Sequence, residues 1–170
     1  MITTVSEQKV NELTKSIRDG ILRKLDSARI LVHYDKEVAA GLYTYAIEEF
    51  GKLLLVKENK LGNNLYEINT DWFKGPKAHK YKFPKAFDYL QQNNHSQCIA
   101  LTEGDFVISN FYWRDFVIGL LADFEARLSI FYTDCKWKGN NDIDMVKVPT
   151  IDTHMLENAI KELEQAASEL

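Results

Sequence analysis

Sulfur ligands are scarce in this sequence. Its two cysteines, Cys98 and Cys135, form no CxxC pair and have no histidine cluster beside them. A disulfide framework and a cysteine-ligated zinc site are thereby excluded, and both residues are expected as free thiols. Long apolar runs are missing as well: none approaches the roughly 18 uninterrupted residues that a membrane helix needs. The opening stretch MITTVSEQKVNELTK has neither the basic nor the apolar block of a secretion signal, so a cytoplasmic protein without membrane contact is expected. There is no phosphate loop, no nucleophile elbow and no HExxH, which leaves the common soluble-enzyme classes without support. Di-iron bundles need Glu-x-x-His pairs, and none occurs. A weaker mixed metal site from Glu48, Glu49, His79, Asp123 and Glu125 has no spacing that demands it, so no metal and no other cofactor is expected. No repeat, low-complexity tract or proline-rich linker divides the 170 residues, which reads as a single domain.

What is present is an ordinary globular composition, 45% hydrophobic and 27% charged. The net charge of −4 argues against coating nucleic acid by bulk attraction, and no DNA partner is expected. The charge is unevenly spread. Five lysines (Lys74, Lys77, Lys80, Lys82 and Lys85) lie between Asp71 and Asp88, whereas Asp152 to Leu170 holds five acids and only Lys161. The basic segment suits either phosphate or a solvated helix face.

Helical periodicity dominates, with little to suggest a sheet. Val10, Leu13, Ile17, Ile21, Leu25, Ala28 and Leu31 or Val32 mark one face of a first helix running from near Ser6 to near His33. Asp35 is placed to cap a second, in which Val38, Leu42, Tyr45, Ala46, Glu49 or Phe50, Leu53 and Val56 continue the period until NKLGNN stops it. So short a break between long helices makes an antiparallel hairpin. A third helix is predicted over Pro76 to Gln92, disturbed at Pro84. A fourth follows in the apolar stretch from Asp105 to Asp134. After the polar loop KWKGNNDIDMVKVPTID comes a final helix from about Asp152. The fold class is all-α, a single bundle of about five helices.

Polar residues interrupt the second helix. Glu48 and Lys52 are four apart with the acid first, the better order for an exposed pair worth about 0.3–0.5 kcal/mol. Glu49 stands about 100° round from Glu48, so on a helix with a broad apolar face one of the two carboxylates points inward or along an edge. An inward carboxylate needs a partner, with Lys52, Arg127, Arg114 and His79 as candidates. The alternative is that both glutamates flank and solvate the core.

The pattern Ala39, Ala40, Gly41-Leu42-Tyr43 and then AIEEFGKLLL from Ala46 to Leu55 resembles the Glu-Glu-hydrophobic-Gly-Lys signature of the abortive-infection V (AbiV) family of bacterial phage-resistance proteins. AHKYKF, Ala78 to Phe83, is similar to that family's His-Lys-x-Lys segment. RLSIFYTD, Arg127 to Asp134, is similar to its arginine followed by Tyr-x-Asp. The resemblance implies a bundle related to HEPN domains, which commonly dimerise and often act as metal-independent ribonucleases. In those enzymes an Arg and a His four to six residues on share a helix face, Arg stabilising phosphate charge and His moving the proton of a 2′-hydroxyl. Here the matching positions hold Arg127 and Tyr132, an Arg-x4-Tyr. Tyrosine titrates near 10, so it can hydrogen-bond phosphate but is a poor base at neutral pH.

His79 is the remaining catalytic candidate, because Lys77, Lys80 and Lys82 around it disfavour its cation and leave an imidazole able to accept a proton. It is equally suited to a hydrogen bond inside the bundle. Lys77, Lys80 and Lys82 are the candidate RNA-binding residues, interleaved with Trp72, Phe73, Tyr81, Phe83 and Phe87 as stacking or core aromatics. Arg29 and His33 read as a surface pair near a helix C-terminus. Two functions follow as expectations. One is a phage-defence protein acting on RNA or translation. The other is a non-catalytic module that binds a phage or host protein through a dimer surface.

Overall fold

The computed structural model describes residues 1–73, 78–98, 135–139, 142–145 and 152–170. The chain is mostly helical. Strand β1 (Ile2–Ser6) leads into α1 (Glu7–Leu31), and α2 (Lys36–Glu58) follows. Strands β2 (Lys60–Gly62) and β3 (Leu65–Asn69), a 3-10 turn (Thr70–Trp72) and α3 (Ala78–Gln92) come next. Strands β4 (Cys135–Gly139) and β5 (Asp142–Met145) precede the final helix, α4 (Thr153–Glu169). The apolar stretch from Asp105 to Asp134, expected as a helix, lies outside the described residues.

The helix ends follow local chemistry. The Asp35 carboxylate accepts the Val38 N–H at 3.0 Å and caps α2. Asp152 does the same for α4, accepting from Met155 N at 2.8 Å. Helix α3 runs through Pro84, whose ring nitrogen has no proton to give the carbonyl of residue 80. It ends where Asn94 turns left-handed (φ 60°) and His95 N returns to Leu90 O at 2.9 Å.

The all-α bundle expected is the observed class, and two small sheets accompany its helices. In the first the order is β1-β3-β2, with β1 antiparallel to β3 from Ile2↔Asn69 to Ser6↔Leu65. Ile2, Thr3, Thr4 and Val5 are β-branched and favour this pleated edge. The NKLGNN stretch not only stops α2 but turns the chain back: Asn63 (φ 49°) and Asn64 (φ 58°) both hold positive φ, as a tight hairpin turn requires. The second sheet is the β4–β5 hairpin, inside what was expected as a polar loop.

Helix α2 is the centre of the bundle and packs on α1, α3 and α4. Its sides are therefore apolar almost all round, with Ala39, Ala40, Tyr43, Ala46, Ile47, Phe50, Leu53, Leu54 and Val56 buried. Phe50, not Glu49, occupies the core position, and Val32 rather than Leu31 closes the apolar face of α1. Glu7 N donates to Asn64 O at 2.8 Å, placing the start of α1 beside the end of α2, the antiparallel hairpin expected. Leu156, Ile160 and Leu163 of α4 complete the core. Arg29 and His33 are surface residues, and each crosses to α4. Arg29 binds Glu164, and His33 Nε2 stands 3.0 Å from Glu157 Oε1. Among the described residues no helix is long and apolar enough to cross a membrane.

Candidate functional site

Where α2 crosses α3, the unusual residues of AIEEFGKLLL meet. Because α2 is covered on most sides, Glu48 has no route to solvent and is 5% exposed. Its Oε1 accepts from Lys82 Nζ at 2.8 Å, and Lys82 is itself 4% exposed. Two opposite charges out of water in contact satisfy each other, whereas either alone would carry a heavy desolvation cost. Glu49, one position round, lies at the edge of the bundle and pairs with Lys52 at 2.6 Å. The Lys52 ammonium also stands 5.7 Å from the Phe73 ring centroid, a cation–π contact holding the segment before α3.

Gly51 permits the crossing itself. A Cβ built there would stand 1.8 Å from the Lys82 carbonyl oxygen and 2.6 Å from its carbon, so the two helix backbones touch where only glycine fits. Lys82 thus meets α2 twice, through its ammonium at Glu48 and its main chain at Gly51. Glu48 and Gly51 clamp α2 to α3 through Lys82, while the Glu49–Lys52 pair stays within α2 and reaches Phe73 ahead of α3.

A second buried polar cluster lies along the same helix. The Tyr43 hydroxyl faces the Cys98 thiol without a well-aligned hydrogen bond. Cys98 N donates to Glu162 Oε2 at 2.7 Å, and its Sγ lies 3.5 Å from Ala159 O. Burial pushes the Cys98 thiol up to about 12, with the Glu162 carboxylate adding to the rise and the Tyr43 contact partly offsetting it. Burial, and then the neighbouring Cys98 and Glu162, also raise Tyr43 well above the phenol range. Both groups stay protonated at neutral pH and act as packing, not as nucleophile or base.

Several assignments change. Lys82, expected to bind nucleic acid, is withdrawn from any surface by its pair with Glu48. Lys52, expected four residues on from Glu48, pairs with Glu49 instead. The inward glutamate is Glu48, and the lysine that meets it, Lys82, stands outside the candidates drawn from the sequence. Its partner Lys82 was legible in one way: Ala78, Lys82, Ala86 and Leu90 recur every four residues and are all buried, a helix face with lysine on it. Of the neighbouring aromatics, Phe83 is core, Trp72 and Phe73 pack against it, and Tyr81 is exposed. Lys85 reaches Glu58 at 2.5 Å.

Arg127, Tyr132 and Lys77 lie outside the described residues, as do Arg114, Asp123 and Glu125. His79 and Lys80 belong to α3, but their side chains are outside the described part. The structure therefore brings together Glu48, Glu49, Lys52 and Lys82. Among the described residues no group of three His, Cys, Asp or Glu side chains is placed to hold a metal ion. The buried Glu48–Lys82 contact fixes α2 on α3. Comparison with family models, curated proteins and solved structures finds no match for this chain.

Proposed function

We propose that this chain is an abortive-infection protein of the AbiV type, a cytoplasmic helical module of HEPN-like form that works as a homodimer and restricts phage growth by acting on RNA or translation. One observation supports the reading above others. Of the positions that carry the resemblance, Glu48 and Gly51 both meet Lys82 at the α2–α3 crossing, and Glu49 and Lys52 pair with each other beside it. A signature of that kind prescribes residue type, not merely apolar character, and so distinguishes this bundle from a generic one. On this reading Arg127 binds phosphate, Tyr132 hydrogen-bonds it, His79 is the available base, and Lys77 and Lys80 hold the RNA backbone.

The second reading, a non-catalytic module that binds a phage or host protein, is favoured by a specific observation. Lys82 has left the set of lysines available to RNA, while Tyr81 beside it stays 47% exposed, a side chain suited to anchoring a protein partner.

The test is expression in phage-sensitive bacteria with plaque counts, alongside incubation of the purified chain with labelled total bacterial RNA, with and without chelator. Chelator-resistant cleavage that disappears in Arg127→Ala supports the RNA reading. Phage protection without RNA cleavage or retention moves the assignment to protein binding. Absence of protection across a broad phage panel overturns the defence reading altogether.

A further inference from the structure

The first half of α1, the last turn of α2, β3 and the end of α4 enclose a cleft of about 440 Å³, away from the α2–α3 crossing. Its charged lining is Lys15, Arg18, Lys57 and Asp19, together with the chain-terminal carboxyl of Leu170. Lys57 is already engaged, donating to the Leu170 main-chain oxygen. Arg18 is not. It is half-buried, its Nε is enclosed without an acceptor, and Asp19 beside it in sequence forms no salt bridge with it among the described residues.

The enclosed Nε of Arg18 is a donor without an acceptor, which a ligand oxygen would satisfy. The planar guanidinium fork matches the oxygens of a phosphate, and Lys15, one turn earlier on the same helix, adds a second positive charge. The volume speaks to the rest of the ligand. Clefts of about 300–1,000 Å³ take small organic molecules, and inorganic phosphate alone would leave most of this one empty. Tyr66 and Val10 supply the apolar wall against which an organic body can lie.

We propose that this cleft binds a small phosphomonoester, its phosphate held by Arg18 and Lys15 and its organic part against Tyr66. The site is independent of the AbiV-type reading and stands or falls by itself.

The test uses the full chain in titration calorimetry with four probes: AMP, glucose 6-phosphate, inorganic phosphate and adenosine. At least one ester is expected to bind saturably, with inorganic phosphate weaker and adenosine silent; the two esters separate a nucleoside body from a sugar body. Lys15→Gln, on the exposed face of α1, should weaken the ester about tenfold, and Arg18→Lys at least as much. Lys9→Gln, an exposed lysine outside the cleft, should change nothing. Because Lys15 is exposed, its variant decides the matter even where the Arg18 variant folds poorly. The proposal is overturned if neither ester is the tightest probe, if no ester binds below about 1 mM, or if Lys15→Gln binds as the parent does.

Discussion

The Glu48–Lys82 pair offers the most direct quantitative test of the clamp. Replacing Glu48 with leucine leaves the Lys82 ammonium in a site 4% exposed with its carboxylate gone. Breaking a buried pair from one side costs about 3–5 kcal/mol. In a domain of this size each kcal/mol moves the melting temperature by about 2–4 °C, so Glu48→Leu should melt roughly 6–20 °C lower. Lys82→Met removes the other charge. In the double variant neither charge remains to be desolvated, so its loss should fall short of the sum of the single losses by about 2–3 kcal/mol. The measurement is urea unfolding of all four proteins by circular dichroism at one pH, with midpoints compared at unchanged slope. Single losses that add to within about 0.5 kcal/mol would mean that the two side chains are energetically independent, and the clamp would have to be abandoned.

Gly51→Ala should destabilise by more than the about 1–3 kcal/mol usual for overpacking, because the added carbon meets the main chain of α3 and no side chain can move aside; unfolding midpoints check this. Asp35→Ala removes the cap of α2 and should cost about 1 kcal/mol in the same assay, while Asp35→Asn should cost less. For Cys98 the folded thiol titrates near 12 against a usual value of 9.0, so the unfolded chain releases its proton first. The contribution is complete below about pH 9 and is lost as pH rises toward 12, and Cys98→Ala should flatten that part of the stability curve. The native thiol should also resist alkylation at pH 8 at a rate set by opening of the fold, measured against urea-unfolded protein.

The helices were legible because each repeats an apolar side chain every three or four residues and carries a recognisable stop. Asp35, Asp152 and NKLGNN are local signals with local outcomes. The strands were not, for reasons of scale. Ile2–Ser6 is five residues, too short for alternation to stand out, and it pairs with residues about sixty positions away. The β-branched run ITTV was the available sign. Within the candidate site, adjacency in sequence suggested that lysines near Lys82 share its exposure, whereas the fourfold recurrence with Ala78, Ala86 and Leu90 puts it inside. The inward choice between Glu48 and Glu49 depends on α2 being enclosed on most sides, a property of the assembled bundle that no single helix reveals.

The small sheet at the start of the chain has a mechanical consequence. Isolated helices lose order first at their free ends, where main-chain groups have no helical partner. In the α1–α2 pair, one end is the short turn at Val32–Asp35. At the other, β1 and β2 lie on either side of β3, while Lys60 Nζ holds Glu7 at 2.9 Å. The hairpin becomes a closed ring of chain with no loose end. Residues that would fray separately must open together, so the first seventy residues behave as one cooperative unit on which α3 and α4 are mounted.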